Sequence, residues 1–177
     1  DVNVSIEAGA RVEIKGVQAL EDIEDIVRLE VQRQVRLVEI AEELADREAA
    51  VGDPVDVTPA FEDTESSVVQ GALAGDGAIF AVRLTGFEGL VGRELQPDRR
   101  LGTELSDHAK RRGAGGIFHT DELPGYGITA EEVADVREMV GAEEGDAVAL
   151  VADDRETAEA AVAGAAERAA AAVEGVP

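Results

Sequence analysis

The chain offers two histidines, His108 and His119, for acid–base or metal chemistry, and no cysteine at all. His119 stands in GGIFHTDEL with Asp121 and Glu122 just after it. An imidazole beside two carboxylates is the raw material of a proton-transfer pair or a metal centre. No second histidine ligand lies nearby, so we favour the plainer reading, a half-buried strand histidine beside two solvated carboxylates. His108 falls on a polar helix face and offers less. Without cysteine there is no disulfide framework, thiol nucleophile or thiolate metal site. No residue is assigned a catalytic role.

Two other groups carry charge in suggestive places. Asp1, Glu13 and Lys15 fall within DVNVSIEAGARVEIKGVQ, where Val2, Val4, Ile6 and then Val12, Ile14 alternate with polar residues around Ala8-Gly9. That alternation predicts a β-hairpin, with these three charges able to share a face. Two carboxylates and an ammonium suit Mg²⁺ plus phosphate, because Mg²⁺ takes few protein carboxylates and shares phosphate oxygens for the rest. A solvated charged hairpin is the competing reading. Arg93, Arg99 and Arg100 surround a loop containing Gly86, Gly89 and Gly92, with Gly102 beyond. Guanidinium groups and open backbone amides could receive an anion such as an RNA phosphate. Equally, the arginines could pair with Glu88, Glu94, Asp98 and Glu104. The glycines match neither a dinucleotide nor a P-loop fingerprint. No metal site is expected elsewhere.

These groups sit in a chain of 177 residues, enough for one ordinary domain and an appendage. Hydrophobic residues make up 45%, mostly Ala, Val and Leu, with four Phe, one Tyr, one Met and no Trp, so any core is built from small side chains. The formal charge is −23, and only Lys15 and Lys110 are lysines. Such charge opposes collapse in ordinary buffer. Regular apolar periodicity argues against disorder and for a protein adapted to molar salt, where the Debye length is about 3 Å and carboxylate repulsion is screened. In a surface biased acidic throughout, a pI near 4.2 loses its usual force against nucleic-acid partners. No apolar run approaches the roughly 18 residues of a membrane span, and no signal-peptide pattern opens the chain, so a cytoplasmic protein with no membrane partner is expected.

Residues 19–48 read as a long helix with two apolar stripes. One runs through Leu20, Ile23, Val27, Val31, Val35 and Val38, the other through Ile26, Leu29, Leu37, Ile40 and Leu44. Gly52-Asp53-Pro54 stops it. Further on, the sequence predicts a short helix over 66–74, strands over 77–84, 115–123 and 146–153, and helices over 103–112, 129–140 and 156–173. Thr129 with Glu132 forms a capping box, and alanine, the best helix former, dominates the last helix. This pattern predicts an α+β fold, a two-layer sandwich of antiparallel sheet with helices on one face. The hairpin and long helix form a separate arm over 1–54, ahead of a domain over 55–177. Asp1 opens inside a strand, which suggests a segment of something longer. An arm with two open apolar stripes and bare hairpin edges is expected to self-associate through residues 1–48.

The segments resemble a known family. DVNVSI, RVEIKGVQ and RLEVQRQ are similar to the cradle domain of the GatB/GatE amidotransferase subunits. FAVRLTGFEGLVGRELQPDRRLGTELSDHAKRRGAGGIFHTDELPGYGIT resembles the archaeal Glu-tRNA(Gln) amidotransferase E subunits specifically. Gly113-Ala114-Gly115-Gly116, Gly145-Asp146 and Ala152-Asp153 match the insert these subunits share with bacterial aspartyl-tRNA synthetases, the GAD domain, of DCoH-like fold. The resemblance implies an ATP- and Mg²⁺-dependent ligase. It phosphorylates the glutamate of Glu-tRNA(Gln), and ammonia from an amide donor such as glutamine, released by an asparaginase-like D subunit, displaces the phosphate. It further implies tRNA(Gln) as partner and places Asp1, Glu13 and Lys15 on strands lining the kinase pocket as metal or phosphate ligands. The remaining cradle residues lie outside these 177, so no ATP or Mg²⁺ binding and no activity is expected of the chain alone. A non-catalytic binding or spacer module is the alternative.

Overall fold

The computed structural model describes residues 1–177. Its amino-terminal hairpin pairs β1 (Val2–Val4) antiparallel with β2 (Val12–Ile14), Val2 opposite Ile14 and Asn3 opposite Glu13. The long helix α1 (Ile23–Asp46) follows, with Glu24 and Asp25 in its first turn where they complement the helix dipole. Two short strands come next, β3 (Ala50–Val51) and β4 (Val55–Asp56), then the helix α2 (Ser67–Leu73), capped by Ser66. The central strand β5 (Gly77–Thr85) leads through a glycine-rich loop into a small ribbon, β6 (Glu94–Gln96) and β7 (Arg99–Arg100), and helix α3 (Leu101–Lys110). The chain closes with β8 (Phe118–His119), α4 (Ala130–Val140), β9 (Ala147–Asp154) and α5 (Arg155–Val173).

The main sheet is antiparallel in the order β3-β5-β9-β8, with β4 sharing the β3 edge of β5. The α+β sandwich around an antiparallel sheet is as expected. Its helices are not confined to one face, however. Ala78, Phe80, Val82 and Leu84 of β5 point into the larger core with α1, α3 and α5, while Ile79 and Ala81 point into a second core with Val69 of α2 and Val136 of α4. A strand covered on both sides must be apolar on both sides, as GAIFAVRL and AVALVADD are.

Small residues permit the tight helix pair in the larger core. A Cβ on Gly164 of α5 would sit 3.0 Å from the His108 carbonyl oxygen of α3. The Thr129–Glu132 capping box forms as expected, and α4 ends at Gly141 in the left-handed conformation. The predicted strand over 115–123 shrinks to two paired residues. Gly113 and Gly116 hold positive φ just before it, and Glu122 N–H turns back to the His119 carbonyl just after.

The arm is where expectation and structure part most. Leu37, Ile40 and Leu44 are buried in the same core as the sheet, and β3 belongs to that sheet. A division at residue 54 therefore does not separate two cores. One of the two stripes of α1 is partly occupied by the chain's own domain, and the hairpin folds onto α1 through buried Val4 and Gln34, whose Nε2 donates to the Val4 carbonyl. Of the other stripe, Leu20 in the turn ahead of α1 is 86% exposed and Val35 41%, while Ile23, Val27, Val31 and Val38 are half-buried.

Candidate functional site

The hairpin register puts Asp1 alongside Lys15 and on the face of Glu13 and Asn3, opposite the valines. All three charged residues are exposed, and Lys15 Nζ lies 3.5 Å from a Glu13 carboxylate oxygen. They share a face, as the alternation predicts. The face is open, its one lysine is engaged by its neighbour, and no group of three or more His, Cys, Asp or Glu gathers anywhere in the structure.

The arginine cluster resolves into three different situations. Arg93 reaches back to Glu43 of α1 at 3.2 Å. Arg99 is bound to Glu104 and Asp107 of α3. Only Arg100 lacks a carboxylate, its Nη1 donating to the Gly92 carbonyl. The loop amides are engaged too. Gly89 and Gly92 donate to the two oxygens of Asp121, each at 2.9 Å, and Gly86 donates to Asp146 at 3.0 Å. The positive φ of Gly86 and Gly89 lets the backbone fold around these carboxylates. The loop is thus an internal anion cradle already filled by the chain's own acids.

Charge and spacing do not single out Asp146, although Gly145-Asp146 carries part of the family resemblance. It is buried, accepts from Arg83 Nε, Glu143 N–H and Gly86 N–H, and so ties the end of β5 to the turn before β9. Those donors hold its carboxyl below the usual carboxylate range although burial opposes them.

A second charged centre joins the arm to the domain. Glu104 of α3 accepts from Arg33 of α1 at 2.6 Å and from Arg99, while Arg33 also chelates Glu30 through Nε and Nη2 at 2.9 Å each. Arg168 of α5 adds a third positive charge beside Glu104. The Arg99–Glu104 pair is one the sequence offers, whereas Arg33 and Arg168 reach Glu104 from two other helices and carry no local signal.

His119 is 4% exposed, on β8 between α3 and the Asp121 turn. Its Nδ1 has no partner, and its Nε2 faces Glu122 at 3.3 Å. Asp121 turns away to the glycine loop, so the three residues form no metal centre. Burial pushes the imidazole below the ordinary histidine range, with Arg100 helping and Glu122 and Asp121 opposing. His108 moves the same way through burial and neighbouring Arg111 and Arg168. A folded state with depressed histidine pKa binds fewer protons than the unfolded chain once pH drops below about 6.5. Stability should therefore fall as pH is lowered through about 6.5, the unfolded histidine value, with no histidine contribution well above it. His119→Asn should flatten the slope in thermal melts at constant molar KCl. A variant as pH-sensitive as the parent would exclude His119 as the cause.

Comparison with known proteins places this architecture. Residues 69–162 match the GAD domain family. The chain is 68% identical over 156 residues to a Haloarcula marismortui protein named as the E subunit of glutamyl-tRNA(Gln) amidotransferase, covering 88% of the chain and 25% of that protein. The Halobacterium salinarum protein of the same name is 69% identical over the same span and shares, and the Methanosarcina barkeri one is 57% identical across 100% of the chain and 28% of its own length. The chain spans about a quarter of the length of these relatives. No helix is long and apolar enough to cross a membrane. The chain belongs to the GAD domain family, in the form it resembles from end to end, that of the archaeal amidotransferase E subunits.

Proposed function

We propose that these residues serve a tRNA-dependent amidotransferase as a non-catalytic module, a GAD domain with the hairpin and helix that join it to a cradle. The reaction served is conversion of Glu-tRNA(Gln) to Gln-tRNA(Gln) with ATP, Mg²⁺ and ammonia delivered by a D subunit, in the cytoplasm of a salt-adapted archaeon. One observation carries the reading: identity to the Methanosarcina barkeri relative runs through all 177 residues, hairpin included, and not through the GAD match alone. Within this scheme Asp1, Glu13 and Lys15 form one wall of the kinase pocket and need residues from elsewhere to complete it. The buried joint at Arg33 and Glu104 fixes where that wall stands relative to the domain.

The deciding experiment replaces residues 60–172 by a short linker in an intact E subunit paired with its D subunit. ATP- and tRNA-dependent amidation should survive at reduced rate, as for a module that positions rather than reacts. Complete loss of the ATPase step with correct folding would make the domain part of the chemistry and overturn the reading. ATP hydrolysis by the 177-residue chain alone would overturn it as well.

Self-association falls to the two exposed apolar residues at this end of the chain, Leu20 just ahead of α1 and Val35 on it. In molar salt the chain should sediment as a dimer that Leu20→Ser with Val35→Ser returns to monomer. A parent that already runs as a monomer would show that this pair is too small to associate, since each exposed Val or Leu gains only about 1.5–3 kcal/mol on burial.

A further inference from the structure

A recess of about 180 Å³ lies between the first two turns of α3 and β8, lined by Arg100, Gly102, Thr103, Ser106, His119 and Glu122, with Ile117 the one apolar wall. It is separate from the hairpin face and does not depend on the amidotransferase reading. Three features mark it as built for a ligand. The amino end of α3 supplies a positive dipole end, which favours anionic groups. Arg100 is the one arginine of its cluster without a carboxylate. The buried ring of His119 lines the recess with its Nε2 edge against Gly102, where a Cβ would sit only 2.9 Å away. Its Nε2 faces Glu122 of the same recess at 3.3 Å, while Nδ1 is buried with neither accessible surface nor a partner.

The lining selects the chemistry. A metal ion is disfavoured because one imidazole and one carboxylate are too few, and Asp121 has both oxygens committed. A bare anion fits the Arg100, Thr103 and Ser106 side and meets Glu122 on the other. A group that is anionic at one end and hydroxylated at the other satisfies both. We propose that the recess binds a ribose phosphate, its phosphate held by Arg100, Thr103 and Ser106 and a sugar hydroxyl donating to Glu122. His119 lies between the two ends and is the natural reporter. The source is either a free nucleotide or the backbone of an RNA chain.

The test is a titration of the 177-residue chain in molar KCl, followed by the His119 ring and the Thr103 and Ser106 amide resonances. Ribose 5-phosphate should give saturable shifts and bind about tenfold more tightly than inorganic phosphate, the worth of one good hydrogen bond to a charged group. Arg100→Gln should weaken both probes about tenfold. Glu122→Gln should erase the preference for the sugar while leaving phosphate binding in place. Both positions are solvent-facing, and Ser106→Ala, a one-atom deletion, repeats the phosphate-side test with less risk to folding. Competition by a short RNA oligonucleotide identifies the backbone as source, and competition by adenosine monophosphate alone identifies a free nucleotide. Shifts that never saturate, or that Arg100→Gln and Ser106→Ala leave unchanged, overturn the site.

Discussion

Glu104→Gln is expected to lose about 3–5 kcal/mol of stability, the usual cost of removing one partner from a buried ion pair. Glu104 has little exposed side chain and serves two arginines directly, Arg33 and Arg99, with Arg168 close by. A neutral amide leaves Arg33 with Glu30 alone and Arg99 with Asp107 alone, around a centre that has lost its shared negative charge. Arg168 has nowhere else to turn: Nη1 donates to the Val176 carbonyl and Nη2 is buried without a partner. Burial alone would raise the Glu104 carboxyl, but the bond from Arg99 and the charges of Arg33, Arg99 and Arg168 bring it below the ordinary range. The contribution is therefore present above the unfolded carboxylate value of about 4.3 and is lost as pH falls through the lower folded value.

Urea unfolding at constant molar KCl and neutral pH gives the number, and amide exchange locates it. Exchange should quicken most in the first half of α1, whose tie to the domain is Arg33 rather than apolar packing, since Leu37, Ile40 and Leu44 lie in its second half. A loss under about 1 kcal/mol with unchanged exchange would mean the network is solvated in practice, as surface pairs are.

The elements that can be read from the sequence are those whose signals are local. The capping box at Thr129 and Glu132, the alternation of the hairpin and the alanine helix each depend on residues within one turn or one strand pair, and each forms where the pattern puts it. The second helical layer is also written in the sequence, in the unbroken apolar runs Ala78–Val82 and Ala147–Ala152 rather than in alternation, but a short apolar run does not say which face it serves. The short β3 and β4 carry too few residues for any periodicity. The site is harder. Hairpin register places Asp1, Glu13 and Lys15 together, and two-residue spacing suffices to see it. Whether an arginine is free is a tertiary fact. Arg93, Arg99 and Arg100 look alike in sequence, and only folding assigns one to α1, one to α3 and one to the mouth of the recess. The glycine loop misleads for the same reason. Its amides look available until Asp121 and Asp146, some 30 and 60 residues away, are brought onto them.

Lowering KCl from about 1 M to 0.1 M lengthens the Debye length from about 3 Å to 10 Å, and the melting temperature should fall by about 10 °C, the equivalent of roughly 3 kcal/mol for a chain of this size. The net charge of −23 is not spread evenly. Glu62, Asp63 and Glu65 face Glu131, Glu132 and Asp135 across one recess between the turn before α2 and the start of α4, with no basic residue in its lining. Only Glu132 has a structural duty there, as the capping partner of Thr129. In molar salt counter-ions screen this face within a few ångströms, and the second core beneath it, Phe61, Ile128 and Val136, holds the two segments together. In dilute salt the carboxylates repel across the full width of the recess, so loss of order should begin at α4 rather than at the sheet. Reversing Asp63 and Asp135 to lysine should remove a large share of the salt dependence while leaving the molar-salt melting temperature nearly unchanged. Sucrose substituted for KCl at equal osmolality should recover only part of the loss and leave the difference between the parent and Asp63→Lys with Asp135→Lys in place, because excluded osmolytes strengthen burial without screening charge. A melting temperature that is flat from molar to tenth-molar KCl would sink the salt-adapted reading of this composition. A dependence that Asp63→Lys with Asp135→Lys leaves untouched would move its origin away from this face.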